Sequence, residues 1–175
     1  MKKTLLSVAT VLFLSSCVSY NSKKERIITT AAINENLNIN DASTEEDLFH
    51  IASFDKDVAV RKLAVAKLNE QENLFHIASF DKDIDVRKLA VTNLKNQENL
   101  FHIASFDTAV AVRKLAVGKL NNQENLFHIA CFDQDKEIRK LAVGKLDNPA
   151  NLTHIANFDT EAEIKKLALT KLKTD

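Results

Sequence analysis

Apolar positions follow two rhythms along this chain. Between Leu5 and Leu14 they are nearly continuous, whereas from Leu48 onward they come in short groups spaced by three and four residues. In "ENLFHIASFDKDIDVRKLAVTNLKNQ", Glu72 to Gln97, the residues Leu74, Ile77 and Ala78 follow i, i+3, i+4 spacing. Val86, Leu89, Ala90 and Leu94 repeat it after the polar break at Asp81 to Asp83. This spacing gathers each group on one helical face. It predicts two short helices, roughly 72–80 and 84–94, joined by tight polar turns.

The same pattern returns every 26 residues. His50, His76, His102, His128 and His154 carry the period, as do Phe54, Phe80, Phe106, Phe132 and Phe158, and Leu63, Leu89, Leu115, Leu141 and Leu167. Five blocks result, 46–71, 72–97, 98–123, 124–149 and 150–175. Helices of about ten residues are marginal alone and expose an apolar stripe, so each pair must stack on its neighbours. With two glycines and one proline in 175 residues, little turn chemistry is present for a sheet. The expected fold class is therefore all-α, an α-solenoid of five helix-pair repeats. Ser43 and Thr44 ahead of Glu45-Glu46-Asp47 read as a helix N-cap. Lys67, Lys119, Lys145 and Lys171 fall in last turns, where positive charge suits the dipole.

The front of the chain reads differently. Lys2 and Lys3 precede an apolar run too short to span a bilayer, followed by small residues, which is the form of a secretory signal. Leu14-Ser15-Ser16-Cys17 resembles the lipobox of bacterial lipoproteins. That resemblance implies cleavage after residue 16 and lipidation of Cys17, with membrane attachment through acyl chains worth about 0.8 kcal/mol per buried methylene. Val18 stands where an Asp commonly retains such proteins at the inner membrane, so the resemblance implies the outer membrane, facing the periplasm. Residues 17–45 are expected to form a polar tether, within which Ser22 to Ile33 has the pattern of a short helix begun by a Ser22/Glu25 capping box. Without residues 1–16 the chain is about two charges acidic, which gives no electrostatic case for nucleic acid. Cys131 is the one cysteine beyond Cys17, so lipidation would leave no intrachain disulfide.

The unit "FDKDIDVRKLAVTNL" resembles HEAT repeats of the phycobilisome-lyase type, with the leucine-rich repeat variant as a close alternative. The resemblance covers residues 46–175 and implies a ladder of hydrogen bonds between turns and second helices. Carried over, its members are Asp55/Arg61, Asp81/Arg87, Asp107/Arg113 and Asp133/Arg139, with Lys165 departing from the pattern in the fifth block. Such arrays serve mostly as binding scaffolds and rarely as enzymes.

Taking Leu74 as zero and about 100° per residue, His76 falls near 200°, away from its own core. No block has a second His, and Cys131, three residues after His128, is the one cysteine in the five blocks, so no metal site or cofactor is expected. Phe75, near 100°, should pack against the next pair, and its counterpart in the last block is Thr153. Phe80 and its equivalents should pack within their own units. Cys131 replaces a serine at a position expected to face outward, with no base to activate it. Lys62, Lys88, Lys114, Lys140 and Lys166 form a column on the outer side of the second helices and are the expected partner-binding residues. Together these readings lead us to expect an envelope lipoprotein that scaffolds another envelope protein, rather than an enzyme. A structural protein that binds cell-wall polymer through the lysine column and a lyase-type enzyme or assembly factor are the alternatives.

Overall fold

The computed structural model describes residues 38–173; the expected signal segment, Cys17 and the helix expected at Ser22 to Ile33 lie outside them. Among the described residues there are ten α-helices and no strand. They are α1 (Glu45–Phe54), α2 (Val58–Lys67), α3 (Gln71–Phe80), α4 (Ile84–Asn93), α5 (Gln97–Phe106), α6 (Val110–Lys119), α7 (Gln123–Phe132), α8 (Lys136–Lys145), α9 (Pro149–Phe158) and α10 (Ala162–Lys171). Odd-numbered helices open a unit and even-numbered ones close it. The protein is an all-α solenoid of five helix pairs.

Side-chain caps start most of these helices. Thr44 and Asp47 form a reciprocal capping box on α1, and Asn96, Asn122 and Asn148 cap α5, α7 and α9. Asp57, Asp83 and Asp135 cap α2, α4 and α8. Each cap occupies orphan N–H groups of the first turn. The exits explain the scarcity of glycine: α1 leaves through Asp55 at φ −62°, ψ 139° and α2 through Leu68 at φ −67°, ψ 138°. Both are extended conformations open to any residue, so no left-handed C-cap is needed.

Within the second unit Leu74, Ile77, Ala78, Val86, Ala90, Val91 and Leu94 are buried, and the equivalent positions continue one core through the array. Val91 belongs to this face, whereas Leu89 is half-buried and Leu63 is exposed. The leucine that carries the repeat most visibly therefore lies at the edge of the core. Successive second helices pack against one another more extensively than successive first helices do. The second helices consequently form the tighter, inner layer of the solenoid, and the first helices the outer one. At the front, Ile39 and Ala42 pack on the core, and Lys67 Nζ donates to the Ile39 carbonyl at 3.5 Å. Ile39 stands 26 residues before Val65, so this turn substitutes for the end of a preceding second helix.

Candidate interaction surface

The ladder residues sit at the seams between units, and each Arg makes a forward link beyond the pair the resemblance implied. Arg61 donates to the Asp55 backbone carbonyl of its own unit at 3.1 Å, but its fork grips the Asp81 carboxylate of the next unit at 2.8 and 3.0 Å. Arg87 joins Asp107, Arg113 joins Asp133, and Arg139 joins Asp159 in the same way. The within-unit pairs Asp55/Arg61, Asp81/Arg87, Asp107/Arg113 and Asp133/Arg139 are thus joined through the Asp backbone carbonyl, and a side-chain link one unit forward adds to them. The forward link is a matter of reach: each Asp carboxylate also accepts from the N–H two residues on, as Asp81 does from the Asp83 N–H at 2.7 Å, and this anchors it facing the preceding unit. Hydrogen bonding to the carboxylate raises the pKa of Arg61, Arg87 and Arg113 above the ordinary guanidinium value, against the opposing effect of burial. In the fifth unit Lys165 turns back to the Asn157 carbonyl at 3.2 Å.

Two further sets of groups hold the seams. Gln97 accepts from the Asn121 N–H at 2.8 Å and donates to the Lys119 carbonyl at 3.3 Å; Gln71 and Gln123 repeat the arrangement. Lys119, Lys145 and Lys171 donate to carbonyls at the end of the preceding second helix, at Val91, Gly118 and Gly144. The dipole they complement is therefore mainly their neighbour's. Burial lowers the pKa of Lys119 and Lys145, with Lys95 adding to the effect at Lys119.

The lysine column lies on the inner layer and is partly neutralised. Lys62 and Lys88 both reach Asp85 at 3.3 Å, and Lys140 pairs with Glu163. These contacts hold Asp85 and Glu163 below the usual carboxylate range. Lys114 and Lys166 are exposed on the same face.

The outer layer carries an exposed aromatic surface. Phe54, Phe80, Phe106, Phe132 and Phe158 are 70–73% exposed, rather than packed within their units. At about 100° per residue Phe80 falls near 240°, beside His76 at 200° and opposite Leu74, so the helical wheel contained this signal and the apolar character of phenylalanine obscured it. Each ring is seated on a histidine: His76 lies 5.0 Å from Phe80, and Phe49 of the preceding unit meets the same imidazole edge-on at 5.2 Å. The pattern recurs at Phe75/His102/Phe106, Phe101/His128/Phe132 and Phe127/His154/Phe158. One turn before each histidine stands Glu46, Glu72, Glu98 or Glu124, exposed on the same face, with Ala150 in the fifth unit. The first helices contain no Lys or Arg at all. The two layers of the solenoid are thus segregated by charge, acidic and aromatic outside, lysine-rich inside.

Cys131 is half-buried against the core rather than outward, and burial, with the Asp159 charge behind it, pushes its thiol pKa up. At the equivalent positions the Ser53 and Ser105 hydroxyls are buried without a hydrogen-bond partner, which a sulfur tolerates better. Among the described residues no group of three or more His, Cys, Asp and Glu side chains is placed to hold a metal ion. An open cleft of about 520 Å³ lies along the seams of the first three units, lined by Asn69, Gln71, Asn93, Lys95, Gln97 and Lys119. Gln71, Gln97 and Lys119 are the seam-holding side chains already described. Among the described residues, no helix is long and apolar enough to cross a membrane.

These features define an α-solenoid with two long, repeat-periodic faces. The chain matches no family model, no curated protein and no solved structure in the comparisons made.

Proposed function

We propose that the protein is a lipid-anchored lipoprotein of the bacterial envelope whose solenoid is a protein-interaction scaffold. The observation that carries this reading is the row of five exposed phenylalanines, held in register by buried seams. An exposed apolar row of this kind costs solubility, and apolar patches rimmed by polar residues commonly mark interaction sites. The short unit and its Asp–Arg ladder support placing the array among HEAT-like repeats, with the leucine-rich repeat variant as the neighbouring alternative. Membrane attachment rests on the lipobox-like segment and Cys17. The reading assigns the chain no catalytic residue and no cofactor.

A second reading has an observation of its own. Lys62, Lys88, Lys114, Lys140 and Lys166 line the inner layer, where an acidic protein or an anionic cell-wall polymer could dock, although Asp85 and Glu163 compete for three of them. Pull-down from solubilised envelopes with the wild type and with a variant carrying Glu at all five lysines separates the cases. Loss of a protein partner assigns the inner face to the scaffold, and loss of polymer alone favours the polymer reading. Retention of everything removes the lysine column from consideration. Radiolabelled palmitate should enter the wild type and not Cys17→Ser; incorporation into the variant refutes the anchor.

A further inference from the structure

We propose that the far face of the fifth unit is a self-association surface, through which α10 of one copy packs antiparallel on α10 of another about a two-fold axis. The partner is a second copy of this chain, an occupant that the scaffold reading neither requires nor excludes.

On its far side α10 presents the positions that the other second helices bury in a seam. Val65, Val91, Val117 and Val143 are fully buried, whereas Leu169, a longer side chain at the same position, is 49% exposed. Leu68, Leu94, Leu120 and Leu146 are buried, and Leu172 is half-buried. Ala156 of α9 is likewise half-buried, where Ala52, Ala78, Ala104 and Ala130 are fully covered. At about 100° per residue from Lys165, Leu169 falls near 40° and Leu172 near 340°, which makes one stripe. The exit of α10 also differs. Leu172 keeps helical angles, φ −61° and ψ −17°, where Leu68, Leu94, Leu120 and Leu146 are extended, so Leu172 and Lys173 stay in line with the helix.

The side chains of this face do not suit another unit of the repeat. Each of the first four units holds the next by an Arg fork and by a phenylalanine set against its histidine. The fifth has Lys165, turned back to the Asn157 carbonyl, and Thr153. Directional groups are replaced there while the apolar stripe is kept. The front of a second copy is excluded as well, because Ile39 is the same position of the repeat as Leu169 and already packs, with Ala42, on the core of its own first unit. What fits is the far face paired with itself. Such an isologous contact closes at two copies and does not extend into a fibre.

Charge selects the register. On this side of α10 stand Glu161, Lys165 and Lys173. Asp159 and Glu163 face the fourth unit, held by Arg139 and Lys140, and Lys171 donates to the Gly144 carbonyl there. Lys166 belongs to the inner face, and α9 contributes no Asp, Glu, Lys or Arg. An axis at Lys165 would set lysine on lysine, and an axis at Leu169 would set Lys165 opposite Lys173. An axis at Leu167 sets Glu161 opposite Lys173, Ala162 opposite Leu172, and Leu169 along the methylene stem of Lys165, whose amine stays at the rim. Since α9 runs antiparallel to α10 at equal length, this axis passes α9 near Thr153, a short side chain where the first four units have phenylalanine. The first helices therefore do not hold the copies apart.

Sedimentation equilibrium of the full chain, in density-matched detergent with micelles in large excess, reads the protein mass against concentration. The wild type should pass from one copy to two as concentration rises, with no larger species. Leu169→Glu, at a side chain exposed in the single copy, should weaken pairing at least about tenfold. Glu161→Lys and Lys173→Glu should each weaken it roughly threefold or more, and the two together should restore it, since the opposite charges then meet in exchanged order. Within one copy these residues stand at opposite ends of α10, so the rescue reports a contact between copies. Phe80→Ser with Phe106→Ser, on the outer face, should leave pairing unchanged. Circular dichroism checks that each variant remains folded, as the exposure of these side chains leads one to expect. A wild type that stays single, masses that grow beyond two copies, a Leu169→Glu variant that pairs as well as the wild type, or an exchange without rescue overturns the proposal. If the wild type stays single but captures an envelope protein that Leu169→Glu loses, the face belongs to that protein and the proposal likewise falls, while the scaffold reading stands.

Discussion

Replacing Arg87 by Met tests the central physical claim, that the seams are held by buried ion pairs reaching one unit forward. The substitution keeps most of the side-chain stem and removes three hydrogen bonds, to Asp107 Oδ2 at 2.8 Å, to Asp107 Oδ1 at 3.0 Å and to the Asp81 carbonyl at 3.0 Å. It leaves the Asp107 carboxylate, whose side chain is 3% exposed, with the Ala109 N–H at 2.7 Å. Removing one partner of a buried pair costs about 3–5 kcal/mol, chiefly because the surviving charge is stranded. A domain is stable by only about 5–15 kcal/mol, so the loss is a large fraction of the total. Because solenoid stability is a sum of unit and nearest-neighbour terms, the deficit is concentrated at the seam of units two and three. Urea unfolding followed by far-UV circular dichroism should therefore shift to lower urea and broaden or divide into two transitions. Arg87→Met with Asp107→Asn removes the stranded charge and should recover much of the loss. Lys165→Met, which lacks a forward carboxylate, should change stability by less than about 1 kcal/mol. An Arg87→Met loss under about 1 kcal/mol, or a double variant no more stable than the single one, refutes the reasoning.

Gly118 and Gly144 lie in the last turns of α6 and α8 with open space where a Cβ would stand, and the first unit has Ala66 in register; Ala at either site should stabilise by about 0.5–1 kcal/mol in thermal unfolding. Gln97→Ala removes the clamp on the loop after α6 and should cost about 1–2 kcal/mol, with faster hydrogen exchange at the Asn121 amide. Phe106→Ser, at an exposed ring, should leave stability within about 0.5 kcal/mol, whereas Phe101→Ala, half-buried against the core and His128, should destabilise by about 2–4 kcal/mol. The Thr44 hydroxyl, with the Ser43 amide, holds the Asp47 carboxyl below its ordinary 3.8. The cap's ionic contribution is therefore complete above about pH 3.8 and lost as pH falls through the lowered value. The Ser43 and Thr44 amide resonances should report that titration; a midpoint at or above 3.8 contradicts it.

The architecture was legible because it rests on local, additive rules. Leu74, Ile77 and Ala78 share a face at helical spacing, and a period of 26 allows no arrangement of their apolar stripes as economical as stacking. Helix boundaries predicted from the second unit fall within one residue of α3 and α4. The candidate surface was half legible. Rotation places His76 outward and Phe80, one turn on, beside it, whereas the apolar character of Phe80 points inward; the exposed ring follows the angle.

The sequence by itself determined the helix pair, the cap at the front of α1, the number of copies and the lysine column of the second helices, since each follows from local pattern and its repetition. Tertiary structure decided how the copies meet. Arg61 bonds the Asp55 backbone carbonyl of its own unit and the Asp81 carboxylate of the next, a combination set by the distance between units. The same stacking brings Phe49 of one unit against His76 of the next, and so turns four of the five copies of one histidine into seam-held supports for an exposed aromatic row. No spacing along the chain encodes that contact, because it belongs to the seam and not to the repeat.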